Sequence, residues 1–497
     1  MSTVVQFPSS HFDYLTSGRT EKEAQELFES WMAAHHPALL AIDASPTRWE
    51  TASYPPFNLD KNIVIVPPCC ESMWNESWTE KTTECTVIRN ASLRDEIVQQ
   101  VLSAHNQSEH SFDADFVTDC YALAAARLLM ALLNRHSHYL QTPDETRLQS
   151  LLSDALQGAR NNQPDAVRQA MQSVFDEIAT SKDHYHPSQN YFIELTLATQ
   201  TSVGEPLQQL LRDAAQINLF MPSNVLETLP QTQPETFALL QSAVEQNKIR
   251  FIVDDTASQS LVLLPILDVA DNILAGISLY RDLLNISPAV YGRLTTGLSP
   301  VLPQLLKLAG LKGTLHFAPL DGWRIRETVQ SKIIWQGTDN SSADALVRYP
   351  IDASTYLGFF ESADRLSSHV NQDSVPTSVF ALFPGQKSAW LDVLRRMSSF
   401  SPSLGKFVSI EEYFSTTIYS GNSQRFDYGA YPVNALMEPG ENPLSRWNEL
   451  YQHSTERLVQ SSFTTLLALL NRPVADAPLA QQFAEAVSPQ SLDGESR

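Results

Sequence analysis

From about residue 188 onward, apolar β-type runs alternate with amphipathic helices, and this alternation constrains the fold more than any other feature. "NYFIELTLA" (190–198), "QINLFMP" (216–222), "KIRFIVDD" (248–255), "SPAVYG" (287–292) and "GTLHFAPLDG" (313–322) read as strands, with "SVFALFPG" (378–385) as a later one. Between them, residues 205–216, 234–247, 267–284 and 299–310 repeat their apolar positions at helical spacing. A β-α-β order of this kind predicts a parallel sheet covered by helices.

The same pattern starts the chain. "STVVQF" (2–7) is β-branched and stops at Pro8, residues 21–36 carry Ala24, Leu27, Phe28, Trp31 and Met32 at helical spacing, and "ALLAI" (38–42) and "NIVIVPP" (62–68) read as buried strands. Residues 93–186 differ, because four successive stretches all carry the 3.6-residue period. Asp113 or Asp115, Thr142 or Asp144, and Asn162 or Pro164-Asp165 supply helix starts. The expected division is an N-terminal β/α part (1–92), a helical insertion (93–187), the main β/α portion (188–415), a helical extension (416–475) and a frayed polar tail (476–497).

Composition narrows the function classes. The 497 residues hold 34 Lys+Arg against 56 Asp+Glu, a formal charge of −22, which would repel a phosphate backbone or an anionic membrane; neither nucleic acid nor membrane is the expected partner. An apolar fraction of 43% suits a globular core. The four cysteines, Cys69, Cys70, Cys85 and Cys120, lack metal or redox spacing and read as free thiols. No signal-peptide pattern opens the chain. The most apolar run, "LAAARLLMALL" (123–133), is broken by Arg127 and falls short of the ~20 residues of a membrane span, so a cytoplasmic protein is expected.

Polar residues cluster where the strands end, the place where a β/α barrel carries its working side chains. Asp254 and Asp255 are a candidate acid/base pair, or else cap the turn before "SQSLVLLP". Asp321 can accept from hydroxyls and Trp323 can stack on a sugar face, or the two form a turn in which the indole merely packs. Arg293 can bind a carboxylate or phosphate, or serve a structural ion pair. "GTDNSSADAL" (337–346) reads as a polar loop without calcium spacing, and no nucleotide-binding or hydrolase motif occurs in a meaningful context.

At "KIRFIVDD…VYGRLTTGLSPVLPQLLKLAGL" the order of features resembles the glycoside hydrolase family 38 (α-mannosidase) catalytic domain. Tyr291, Gly297, Ser299, Pro300, Pro303, Leu305, Leu306 and Lys307 fit its frame of a strand, a Gly-His-Ser loop and a helix beginning P-x-L-P-x-L-L-K. "VVQFPSSHFD" resembles the family's first strand. The likeness covers about a hundred residues around 240–325 and a dozen at the N-terminus. It implies an irregular seven-stranded β/α barrel with an inserted helical subdomain, a divalent metal, commonly zinc, and an aspartate nucleophile in a retaining mechanism. His11 and Asp13 fall on its metal-binding His-x-Asp, and residues i and i+2 of a strand end can share one ion. The alternative is a turn in which Asp13 caps backbone amides. Leu294 stands where the nucleophilic aspartate should be, and a leucine neither coordinates zinc nor attacks an anomeric carbon. His316 is the nearest candidate for the remaining metal histidine, or a hydrogen-bonded core residue.

Three expectations follow. One is a carbohydrate-active hydrolase with displaced catalytic carboxylates, drawn from Asp13, Asp254, Asp255, Asp321 and Asp352. Another is a non-catalytic relative that binds a glycan or a protein. The third is a metal-dependent deacetylase-like hydrolase.

Overall fold

The computed structural model describes residues 3–470, apart from 9–17, 43–46, 53–61, 76–77, 79–84, 107–111, 137–143, 214–215, 258–259, 296, 326–328, 370–371, 418–420, 422 and 433–442. Among the described residues, the first strands pair only among themselves. β1 (Thr3–Phe7) lies between β2 (Arg48–Thr51) and β3 (Ile63–Ile65), and β4 (Thr86–Ile88) adds to β3, all parallel. Segment 1–92, expected to build one barrel with the later strands, therefore forms a sheet of its own among the described residues. Both edges of β1 are already occupied, by Val4 opposite Arg48 on one side and Val64 on the other.

Helix Glu21–Ala34 returns over this sheet. The Thr20 side chain accepts from the Glu23 amide while the Glu23 carboxylate accepts from the Thr20 amide, a reciprocal cap that fixes the helix start. Its Trp31 packs on Phe7 with ring centroids 5.8 Å apart. "ALLAI" is not a strand. Pro37 in a first turn and the His36 ring nitrogen, which accepts from the Ala38 amide, start the short buried helix Pro37–Leu40 instead.

The expected helices of the next segment are Arg94–Ala104, Ala114–His136, Glu145–Arg160 and Pro164–Tyr185. Asp144 caps the third by accepting from the Thr146 and Arg147 amides, and the last two pack side by side.

The second, larger sheet carries the alternation read from the sequence. β5 (Tyr191–Leu197), β6 (Ile217–Phe220), β7 (Ile249–Val253), β8 (Val290–Tyr291) and β9 (Gly313–Leu315) lie side by side in chain order, each parallel to the last. Helices Glu205–Asp213, Pro234–Glu245, Ile266–Leu284 and Leu302–Leu308 make the crossovers. The strands are buried on both faces, as helix-covered parallel strands are. A short hairpin, β10 (Phe317–Ala318) and β11 (Trp323–Arg324), follows β9. β12 (Lys332–Gln336) and β13 (Ser342–Leu346) form a second hairpin, with β13 parallel to β9. Half of the expected 337–346 loop is thus strand; its small Ala343 and Ala345 beside Ser342 and Asp344 give too weak an alternation to read. β14 (Ile351–Asp352) pairs with β15 (Thr377–Leu382), which pairs with β5; β16 (Lys406–Phe407) also pairs with β5, and β17 (Ser423–Arg425) with β12. The chain is a mixed α/β protein with a large, mainly parallel sheet.

The two faces of that sheet bury different cores. Leu219, Phe251, Val253 and Tyr291 pack against the crossover helices. Ile193, Leu195, Phe220, Ile252, Val290, Leu315, Leu346 and Val379 form the other core, closed at the strand starts by helix Ile410–Thr416 through Ile410, Tyr413 and Phe414. Gly313 admits that helix, since a Cβ there would lie 2.4 Å from the Phe414 ring.

Candidate functional site

Strand alternation sorts the residues that follow β7 and β8. Val253 and Tyr291 face the helices, so Asp255 and Arg293, two positions on, continue to the same side; Ile252 and Val290 face the inner core, the side of Asp254 and Gly292. The backbone is held tightly here. The Ser223 hydroxyl donates to the Asp254 carbonyl (2.8 Å), and Gly276 lets helix Ile266–Leu284 lie against that carbonyl, since a Cβ would come within 2.2 Å of it.

Asp255 is the centre of a closed network. One carboxylate oxygen accepts from the Tyr291 hydroxyl (2.5 Å) and lies 3.5 Å from Arg293 Nε; the other accepts from the Ala257 amide (2.8 Å). Its side chain is 0% exposed and that of Arg293 only 3%. Arg293 also donates to the Ala257 carbonyl (2.9 Å) and more distantly to Gly297 (3.4 Å), so one guanidinium ties the loop after β7 to the loop after β8. Gly297 has φ +134°, and a Cβ would meet Ser260 Cα at 2.9 Å, which accounts for glycine there.

Asp254 differs from its neighbour. Its side chain is 13% exposed, its Oδ1 accepts from the Asp255 amide (2.8 Å), and Arg293 lies 3.9 Å away. Burial, then the Asp255 charge, raise its carboxyl well above the usual range, while Arg293 and the amide bond oppose them. Burial likewise raises the Tyr291 phenol, so the hydroxyl stays a donor. Arg293 is raised: burial opposes its charge, but Asp255 and the other nearby acids outweigh burial.

The structure brings together Asp254, Asp255 and Arg293, and Asp321 lies close enough to add to the field at Arg293. Asp255 and Arg293 serve this internal network, and the Asp255 side chain binds the turn amide of Ala257 without capping a helix. Tyr291, Ser223 and Gly276 complete the arrangement. A tyrosine two residues before an arginine at a strand end was the only sequence signal for it. Asp321 is exposed, in the turn between β10 and β11. Asp352 accepts from the amide and hydroxyl of Ser354, a turn of its own.

Leu294 is turned into the inner core and is 2% exposed. Trp323 packs with Tyr431, its ring 5.7 Å edge-on from His316. His316 is fully buried among Trp335, Phe426 and Tyr431, its Nε2 3.0 Å from the Tyr431 hydroxyl, and burial lowers its pKa to about 3. Enclosed by rings, it suits a neutral core histidine and not a zinc ligand. His11 and Asp13 lie outside the described residues. Among the described residues no group of three or more His, Cys, Asp or Glu could hold a metal. A leucine stands at one implied ligand position and the candidate His316 is enclosed by rings, so neither would hold zinc, while the two residues expected to bind the metal are not among those described.

No family model and no curated protein matches the chain. Several solved structures resemble parts of it. An α-mannosidase from Enterococcus faecalis V583 is 12% identical over 47% of this chain and 30% of its own length, with a TM-score of 0.35. A 4-α-glucanotransferase from Thermococcus litoralis is 13% identical over 57% of this chain and 48% of its own, with a TM-score of 0.36. A GH57-type branching enzyme from Pyrococcus horikoshii is 9% identical over 93% of this chain and 79% of its own, with a TM-score of 0.32. The chain thus spans less than half the length of the first two. No helix among the described residues is long and apolar enough to cross a membrane.

Proposed function

We propose that the chain is a glycoside hydrolase-like protein whose parallel strands curl into an irregular seven-stranded β/α barrel, and that it binds a carbohydrate at the strand ends without hydrolysing it. Two distances support the curl. In a flat sheet β9 and β15 would be five spacings, about 24 Å, apart. Yet neighbouring Tyr413 and Phe414 touch both: Tyr413 accepts from Thr377 at the start of β15, and Phe414 covers Gly313 at the start of β9. The chain also passes from Leu346 of β13 to Ile351 of β14 in five residue steps, at most about 18 Å, where a flat sheet would need about 34 Å. The buried Arg348–Asp373 pair (3.2 Å) joins the segments after β13 and before β15, and β15, β5, β6, β7, β8, β9 and β13 make seven parallel strands.

The observation that carries the lack of hydrolysis is the loop after β8. Leu294 sits in the core at the place implied for the nucleophile, and Asp255, at the end of the neighbouring strand, is 0% exposed and engaged by Tyr291, Arg293 and an amide. A retaining glycosidase needs two carboxyl groups about 5 Å apart facing the sugar. On this reading Asp321 and Asp254 bind hydroxyls, and Asp255 and Arg293 are positioning residues.

One observation favours a hydrolase instead. The raised carboxyl of Asp254 holds its proton as a general acid does. Glycan-array binding, a screen on aryl α- and β-glycosides, and metal analysis of the purified chain separate the readings. Saturable glycan binding without turnover is expected. Turnover abolished by Asp254→Asn supports the hydrolase, as does stoichiometric zinc lost on His11→Ala for a metal-dependent one. Neither binding nor turnover sinks both.

A further inference from the structure

We propose that a cavity at the β2 edge of the first sheet, lined by Trp31, Arg48, Trp49 and Arg127, binds a small organic carboxylate with a flat apolar body. The cavity, of about 260 Å³, lies between β2 and the helices Glu21–Ala34, Ala114–His136, Glu145–Arg160 and Pro164–Tyr185, far along the chain from the strand-end loops of the larger sheet. It is a separate site from the proposed carbohydrate site and does not depend on it.

The charge in it is unusual for this chain. In a protein of formal charge −22, two guanidinium groups share one cavity with a single carboxylate among its described residues. Arg127 interrupts the most apolar run of the sequence, on helix Ala114–His136, and its side chain is only 15% exposed. Its partner Glu145 is 45% exposed and 3.4 Å away, longer than the 2.7–2.9 Å typical of a charge-assisted bond. A guanidinium has five N–H donors in a planar fork, so one long contact leaves room for a bidentate acceptor. Burial and the Arg48 charge both disfavour the Arg127 cation, which is lowered from its ordinary value despite Glu145. An added anion would relieve that.

The other polar groups do not compete for the ligand. Trp31 donates its indole N–H to the Ala124 carbonyl (2.8 Å), and the Thr47 hydroxyl donates to the Ala34 carbonyl (2.9 Å). His35, with its Nδ1 2.9 Å from the Trp31 carbonyl, is held neutral, its pKa pushed down to about 3 by burial and the Arg127 charge. Its buried Nε2 has no hydrogen-bond partner among the described residues and, in this neutral form, is an acceptor that cannot bind the carboxylate. The rest of the described wall is apolar, made of Met130, Ala131, Leu148 and Ile178 with the two indoles. Such a lining has too few hydroxyl partners for a sugar and too much apolar surface for inorganic phosphate. At a water's share of about 30 Å³ per heavy atom, the volume suits roughly nine heavy atoms, the size of benzoate.

The test is calorimetric titration of the full-length chain with benzoate, benzamide and inorganic phosphate. Benzoate is expected to bind one site at least about tenfold more tightly than its neutral isostere benzamide, and phosphate not to compete. Arg127→Met should remove that preference. Arg48→Gln, at an exposed position, should weaken benzoate about tenfold with benzamide unaffected, and Ala131→Phe should fill the cavity and abolish both. The last two variants carry the test if Arg127→Met does not fold. Equal binding of benzoate and benzamide, no saturable benzoate binding, or benzoate binding unchanged by Arg48→Gln and Ala131→Phe overturns the proposal.

Discussion

Replacing Asp255 by Asn tests whether the network after β7 and β8 is structural. The substitution keeps the shape and leaves an oxygen to accept from Tyr291, but removes the charge that compensates Arg293. Arg293 is 3% exposed, and Asp254, its other measured ion-pair partner, is farther away at 3.9 Å against 3.5 Å for Asp255. Removing one member of a buried pair costs about 3–5 kcal/mol; Asp254, relieved of the Asp255 charge that helps raise it, can ionise beside Arg293 in its place, which puts the expectation near the lower end, about 3 kcal/mol. Tyr291→Phe deletes one bond to a charged group and should cost about 2 kcal/mol. Because both act on one carboxylate, the double variant should lose less than the sum of the two. The assay is urea unfolding followed by tryptophan fluorescence and circular dichroism. With an m-value of roughly 3 kcal/mol/M for a chain of this size, Asp255→Asn should lower the midpoint of the transition by about 1 M. A shift below about 0.2 M, or strict additivity with Tyr291→Phe, would refute the reasoning.

Asp254 should behave oppositely. Its carboxyl is raised in the folded state, so the folded chain holds a proton that the unfolded chain has released; this contribution is present below the unfolded pKa of about 3.9 and lost as pH rises through the folded value. Asp254→Asn should therefore be more stable than the parent at neutral pH, with the urea midpoints converging toward pH 4; an advantage that grows on acidification contradicts the assignment. The histidine ring of His316, lowered to about 3, should not titrate between pH 8 and 5 in NMR spectra of histidine-labelled protein. The unfolded chain takes up this proton below about 6.5, so the stability contribution is present above that pH and lost as pH falls toward 3; a midpoint near 6.5 in the folded spectrum contradicts the ring-enclosed position. Gly313→Ala should cost about 1–3 kcal/mol in urea unfolding by forcing a methyl against the Phe414 ring. An unchanged midpoint would show that helix Ile410–Thr416 does not cover the strand starts.

Local pattern was enough for much of the fold. Apolar runs such as "IRFIV" and "INLF", separated by helices of 3.6-residue period, marked β5 to β9 and their parallel order, because each strand buried on both faces must be hydrophobic along its length. Capping chemistry marked Thr142 or Asp144, of which Asp144 is the cap, and the helices of the segment after residue 93 followed from periodicity. Local pattern failed at "ALLAI", where Pro37 and His36 start a helix, and at β13, whose alanines carry little hydrophobic signal.

The candidate site was legible only as a set of positions. Asp254, Asp255 and Arg293 stood out because they end strands, but their roles depend on which face each side chain continues and on what lies behind it. A sequence cannot show that Asp255 meets Tyr291 from a neighbouring strand, or that Leu294 turns into the core. Equally, nothing local to "STVVQF" indicates that β1 pairs with β2 and β3 and not with the larger sheet, since strand pairing is a long-range choice. The sequence by itself determined most of the elements, their order, and that residue 294 is a leucine. Tertiary structure decided the partners of each strand, the burial that raises Asp254, and the meeting of Arg48 and Arg127 in one cavity. Periodicity and propensity act over a few residues, whereas burial and charge compensation depend on atoms brought together from distant parts of the chain.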